Sequence, residues 1–171
     1  MSEKTVWFGE KRGVRFEINR FKSFDESSFK HSWTFYLWLC PEQFPEHLRG
    51  EISTRMHFTA FGTPIETCDT AISNLDWHGG LTWSSNESKP GAPFEQYKFG
   101  CDFQHVGDEG YHYDLDDIES EVDRCIESLY LWCPEIKTVA SIWEEFRAKF
   151  PRDTVGGIAG RYDREGREVR K

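Results

Sequence analysis

The chain contains no apolar run near the roughly 20 residues that a membrane-crossing helix needs, so no transmembrane segment is expected. Its first residues, MSEKTVWFGEKRG, lack a basic start followed by an apolar stretch, and no secretory leader is expected there. The cysteines Cys40, Cys68, Cys101, Cys125 and Cys133 are odd in number and include no C-x-x-C pair. This argues for reduced thiols in a cytoplasmic protein, without a disulfide framework or a thiolate zinc site. Positive charge is scarce: 21 Lys and Arg stand against 30 Asp and Glu, a net charge of −9. Direct grip on nucleic acid demands a basic surface and is therefore not expected. Phosphate-loop, nucleophile-elbow, dinucleotide-fingerprint and H-E-x-x-H patterns are all missing, so the enzyme classes they mark receive no support.

Aromatic residues are abundant. Seven Trp and fourteen Phe in 171 residues predict one domain whose core is built largely from rings. Val14, Phe16 and Ile18 alternate with polar residues, as do Met56, Phe58 and Ala60, and later Tyr97, Phe99, Cys101 and Phe103; period two predicts a strand in each case. The run SWTFYLWLC from Ser32 to Cys40 is bulky at both parities, which predicts a central strand covered on both faces. The segment from Ser84 to Pro93 reads as a surface loop.

Two helices are expected to follow. Asp114 can cap the first, and Leu115, Ile118, Val122, Ile126 and Leu129 recur at helical spacing as its core stripe. Pro134 suits the first turn of the second, predicted to bury Ile136, Val139, Ala140, Trp143 and Phe146 before Pro151 stops it. Strands first and helices last predict an α+β fold, a mainly antiparallel sheet with two C-terminal helices packed on one face. Residues 1–151 form the expected domain, and 152–171 an expected flexible or peripheral tail.

Two constellations carry candidate chemistry. His78 opens the segment HGGLT, and Asp102, His105 and Asp108 follow at D-x-x-H-x-x-D spacing. Imidazole and carboxylate together suit a divalent metal, and glycines let backbone approach a ligand closely. These four residues are candidate metal ligands, and the reading they support is a metal-dependent hydrolase or nucleotide-processing enzyme with bound water as nucleophile. The competing reading has the same side chains tying loops together by hydrogen bonds. No cofactor follows from the sequence with certainty.

The stretch from Asp108 to Glu127 holds nine carboxylates against the single Arg124. Asp116, Glu119, Asp123 and Glu127 share one helix face opposite the apolar stripe, a surface suited to a basic protein partner that would otherwise hold nucleic acid. Exposed helix faces are also commonly acidic for solvation and dipole reasons alone. A third pattern, Trp33, Tyr36, Trp38, Trp77 and Trp83, could stack a base or sugar in a small-ligand sponge, although such rings more often fill a core. Cys101 and Cys125 read as inert packing. No pattern specifies an oligomeric state.

The segments HGGLTW (His78 to Trp83) and FGCDFQHVGD (Phe99 to Asp108), followed by an acidic amphipathic helix, resemble a group of small bacteriophage and prophage proteins. The likeness spans about residues 77 to 131. That group supplies no activity to carry over. The resemblance implies a setting, expression inside a bacterium; joined to the acidic helix face read from the residues, it gives the expectation of a binding protein that inhibits a host or defence protein.

Overall fold

A computed structural model describes residues 4–22, 31–105, 108 and 111–150. The expected tail at 152–171 lies outside the described residues. Strands β1 (Lys4–Lys11), β2 (Val14–Lys22) and β3 (His31–Leu39) are followed by β4 (Arg55–Phe58), β5 (Pro64–Thr67), β6 (Trp83–Asn86) and β7 (Tyr97–Asp102). Helices α1 (Leu115–Trp132) and α2 (Val139–Lys149) come last. Five strands form one antiparallel sheet in the order β1-β2-β3-β7-β6, while β4 and β5 pair separately. The α+β architecture expected from the sequence is the one observed.

Register puts the core on one face. Ile18 lies opposite Phe35 and Phe35 opposite Cys101, while Leu37 lies opposite Phe99 and Leu39 opposite Tyr97. All seven of these residues are at most 6% exposed. Against this face α1 lays Ile118, Val122, Cys125, Ile126 and Leu129, all buried, with Leu115 partly buried at the margin. Each large side chain removed from water contributes about 1.5–3 kcal/mol, so this sheet-helix seam holds the domain together. Asp114 caps α1 as expected: its side chain accepts from the Asp117 backbone N–H, and the Asp117 carboxylate accepts from the Asp114 backbone N–H.

The opposite face of the same strands is polar and aromatic. Glu17 (β2) is buried and its carboxylate lies 3.1 Å from the Lys98 (β7) ammonium, which sits over the rings of Tyr36 and Trp38 (β3). The double bulk of β3 therefore reflects one core face and one ring-and-ion-pair face, and β3 is indeed a central strand.

The alternation Met56, Phe58, Ala60 gives a strand as expected, β4, which pairs with β5 in a separate hairpin and leaves Met56 58% and Phe58 73% exposed. Three local expectations are corrected. The segment after Trp83 is not all loop, since β6 pairs with β7 through Asn86. The second helix starts at the Thr138 cap rather than near Pro134, the Thr138 hydroxyl accepting from the Ser141 N–H. That later start changes the buried set to Ile142 and Trp143, leaving Ala140 exposed and Val139 and Phe146 half-buried. β1 itself is additional; it pairs along β2 through the two-residue turn Arg12-Gly13, where both residues have positive φ (50° and 80°) as a tight hairpin of matching twist requires.

Candidate functional site

The segment after β7 and the segment around His78 meet at one end of the sheet. Trp77 is 4% exposed, stacks on Phe35 with centroids 5.7 Å apart, and donates from its indole N–H to the Ile72 carbonyl. This anchor fixes the next residue, His78, whose ring stacks on buried Phe103 at 4.2 Å and 12°. Phe103 in turn continues the apolar parity of β7, so the core places both partners.

Three candidate ligands converge there. His78 Nε2 lies 3.0 and 3.2 Å from the two oxygens of Asp108, and His105 Nδ1 lies 3.4 Å from Asp108 Oδ2. Ligand atoms of His78, His105 and Asp108 all fall within 4.8 Å of one another. Asp102, the fourth candidate, does not join this trio; its Oδ1 is 3.9 Å from the other nitrogen of His105. Among the described residues no other group of His, Cys, Asp and Glu gathers in this way.

Asp108 is 6% exposed and well supplied with donors. Tyr113 donates its hydroxyl to Oδ1 at 2.6 Å, and the His105 backbone N–H donates to Oδ2 at 2.9 Å. Burial pushes the Asp108 carboxyl up, but Tyr113, the His105 N–H and His78 outweigh it and leave it below the usual aspartate value. Burial and the neighbouring Asp108 push the Tyr113 phenol up, which keeps it a donor. His105 is the opposite case: both of its ring nitrogens are buried and neither has a hydrogen-bond partner. Such groups are uncommon because an unmade bond costs about 1–3 kcal/mol.

Helix α1 closes the site from below. Glu121 Oε2 is 3.6 Å from His78 Nδ1, and Arg124 holds Glu121 at 2.6 Å and Asp76 at 3.0 Å. Ser128 accepts from the Asp76 backbone N–H. Tyr113, Glu121 and Phe103 were not among the candidates named from the sequence. Glu121 left a trace there, because it borders the apolar stripe of α1 beside Ile118 and Cys125, where a carboxylate is half-buried.

The other sequence candidates are distributed differently. On α1, Asp123 is ion-paired with Lys11 and Glu127 with Arg12 at 2.8 Å, both from the β1–β2 hairpin, while Asp116 and Glu119 are exposed. The four carboxylates therefore do not form one open row. The aromatic set divides between the two sheet faces: Trp33 and Trp77 are core, Tyr36 and Trp38 lie beneath Lys98, and Trp83 is 53% exposed. Cys101 and Cys125 are buried and burial pushes both thiols up, in keeping with packing. No helix among the described residues is long and apolar enough to cross a membrane. No protein-family model, curated protein or solved structure matches the chain.

Proposed function

We propose that the chain is a metal-dependent hydrolase whose divalent ion is held by His78 Nε2, His105 Nδ1 and one oxygen of Asp108. The observation that carries this reading is the pair of buried His105 ring nitrogens, neither of them hydrogen-bonded, beside a histidine and a carboxylate. Two imidazoles and one carboxylate suit zinc or ferrous iron, and three protein ligands leave coordination positions for water and substrate. Bound there, a divalent ion would lower the pKa of a coordinated water and so supply a nucleophile at neutral pH. The protein's own share is to fix the ligands: the Trp77 anchor and Phe103 stack orient His78, and Tyr113 orients Asp108.

The alternative, capture of a basic protein by the helix face, is less well supported because Lys11 and Arg12 already engage two of its four carboxylates. Inhibition of a host or defence protein and a phage setting belong to that alternative.

Native mass spectrometry of tag-free protein supplied with zinc, manganese or ferrous iron tests the reading. One ion per chain in the wild type, absent from His105→Ala and Asp108→Ala, together with metal-dependent cleavage of ester or phosphoester reporters, is the expected result. A wild type that retains no ion would make the trio a hydrogen-bonded tie between two loops and end the proposal.

A further inference from the structure

Resting on the metal-centre reading, we infer that Glu121 on α1 is a positioning residue for the ion, acting through His78. A histidine that binds a metal through one nitrogen ordinarily donates its other N–H to a carboxylate or carbonyl, which fixes the tautomer and raises the basicity of the coordinating atom. His78 turns Nε2 to Asp108 and Nδ1 to Glu121, 3.6 Å away. His105 repeats the pattern with Nδ1 towards Asp108 and Nε2 towards Asp102 at 3.9 Å. Asp108 has its own support in the Tyr113 hydroxyl at 2.6 Å. Each of the three ligands thus faces a different outer partner, and the partners come from β7, from the segment preceding α1 and from α1 itself.

Glu121 is itself held in place. Its side chain is 19% exposed, and Arg124 bridges it to Asp76, two residues before His78. Ser128 receives the Asp76 backbone N–H from the next turn of the helix. Ser128, Arg124 and Glu121 therefore clamp the 76–78 segment to α1 at three successive points. The helix packs the core with one stripe and sets the orientation of His78 from the adjoining edge. This gives the buried-side carboxylate of α1 a role that core packing does not.

The experiment is zinc affinity by competition with a chromophoric chelator, on wild type, Glu121→Gln and Glu121→Ala, with the visible spectrum of the cobalt-substituted forms. Loss of an outer partner ordinarily weakens metal binding about tenfold to a hundredfold. Glu121→Ala is expected in that range. Glu121→Gln, whose amide oxygen can accept from Nδ1–H, should fall between it and the wild type. The cobalt ligand-field bands should shift in the same order, a signature that a purely structural role for Glu121 would not move. Wild-type affinity and an unshifted spectrum in both variants overturn the inference while leaving the metal centre standing. If Glu121→Ala does not fold, the Gln variant alone decides on the same terms. A wild type that binds no zinc fails the metal centre itself, and the inference with it.

Discussion

Gly79 and His105 occupy adjoining space with no room between them: a Cβ built on Gly79 would lie 2.4 Å from both Cε1 and Nδ1 of the His105 ring. Gly79 also has φ of +65°, a region that side chains disfavour. Gly79→Ala therefore must push the imidazole away from His78 and Asp108 and strain the turn. The strain costs about 1 kcal/mol or more. The expected outcome is a folded protein with a modestly lowered melting temperature and no retained ion in native mass spectrometry. Retention of a full equivalent of metal would show that His105 is not a ligand in its observed position.

The buried pair on the open sheet face predicts a pH dependence. Burial pushes the Glu17 carboxyl up, but the Asn19 amide, the Lys98 ammonium and Trp38 together bring it below the ordinary value of 4.5. A lowered folded value means that the stabilisation is present above pH 4.5 and is lost as pH falls through the lower folded value. Urea denaturation between pH 7 and 3 should show wild-type stability declining in that acid window, with a shallower decline in Glu17→Gln. At neutral pH the same substitution leaves Lys98 without its carboxylate, at a cost of up to about 3–5 kcal/mol, reduced by the contact of Lys98 with solvent.

The sequence pattern disclosed the fold where a single periodicity governed a segment. Three alternations gave strands, and α1 was delimited by Asp114 and its apolar stripe. It failed where tertiary context decided: nothing local distinguishes β4, which stands apart with Phe58 exposed, from β2, which joins the main sheet. The candidate site followed the same division. His78, His105 and Asp108 were visible as residue types, yet their convergence depends on Trp77 packing against Phe35, some forty residues away in sequence. Asp102 was read with them from spacing alone, and the turn of the chain after β7 sets it on the far side of His105.

Charge reversal on α1 should divide into two halves. Asp123 and Glu127 pair with Lys11 and Arg12, and the Arg12 guanidinium also lies 3.8 Å from the Tyr130 ring centroid. Exposed pairs are worth about 0–1 kcal/mol each, so Asp123→Lys with Glu127→Lys should destabilise by roughly 1–2 kcal/mol as attraction becomes repulsion. Asp116→Lys with Glu119→Lys should cost below about 1 kcal/mol, the part due to the helix dipole at the first turn. Urea denaturation measures both. Equal costs would mean that the contacts to the β1–β2 hairpin contribute nothing in solution.

Zinc should stabilise the fold in a way that separates a metal centre from a hydrogen-bonded tie. A ligand that binds only the native state at a hundred times its Kd adds about 2.7 kcal/mol. For a chain of this length that corresponds to a rise in melting temperature of roughly 5–10 °C, reversed by a chelator. Tyr113→Phe removes the hydroxyl that donates to Asp108 at 2.6 Å, and loss of a hydrogen bond to a charged group costs about 1.5–3 kcal/mol in the metal-free protein. In a metal centre that variant starts lower but still rises with zinc, because His78, His105 and the Asp108 carboxylate remain. His105→Ala should start near the wild type, having lost a ring whose nitrogens make no hydrogen bond, and should not rise at all. In a tie, none of the three responds to zinc, and Asp108 with its donors accounts for the whole of the site's contribution to stability.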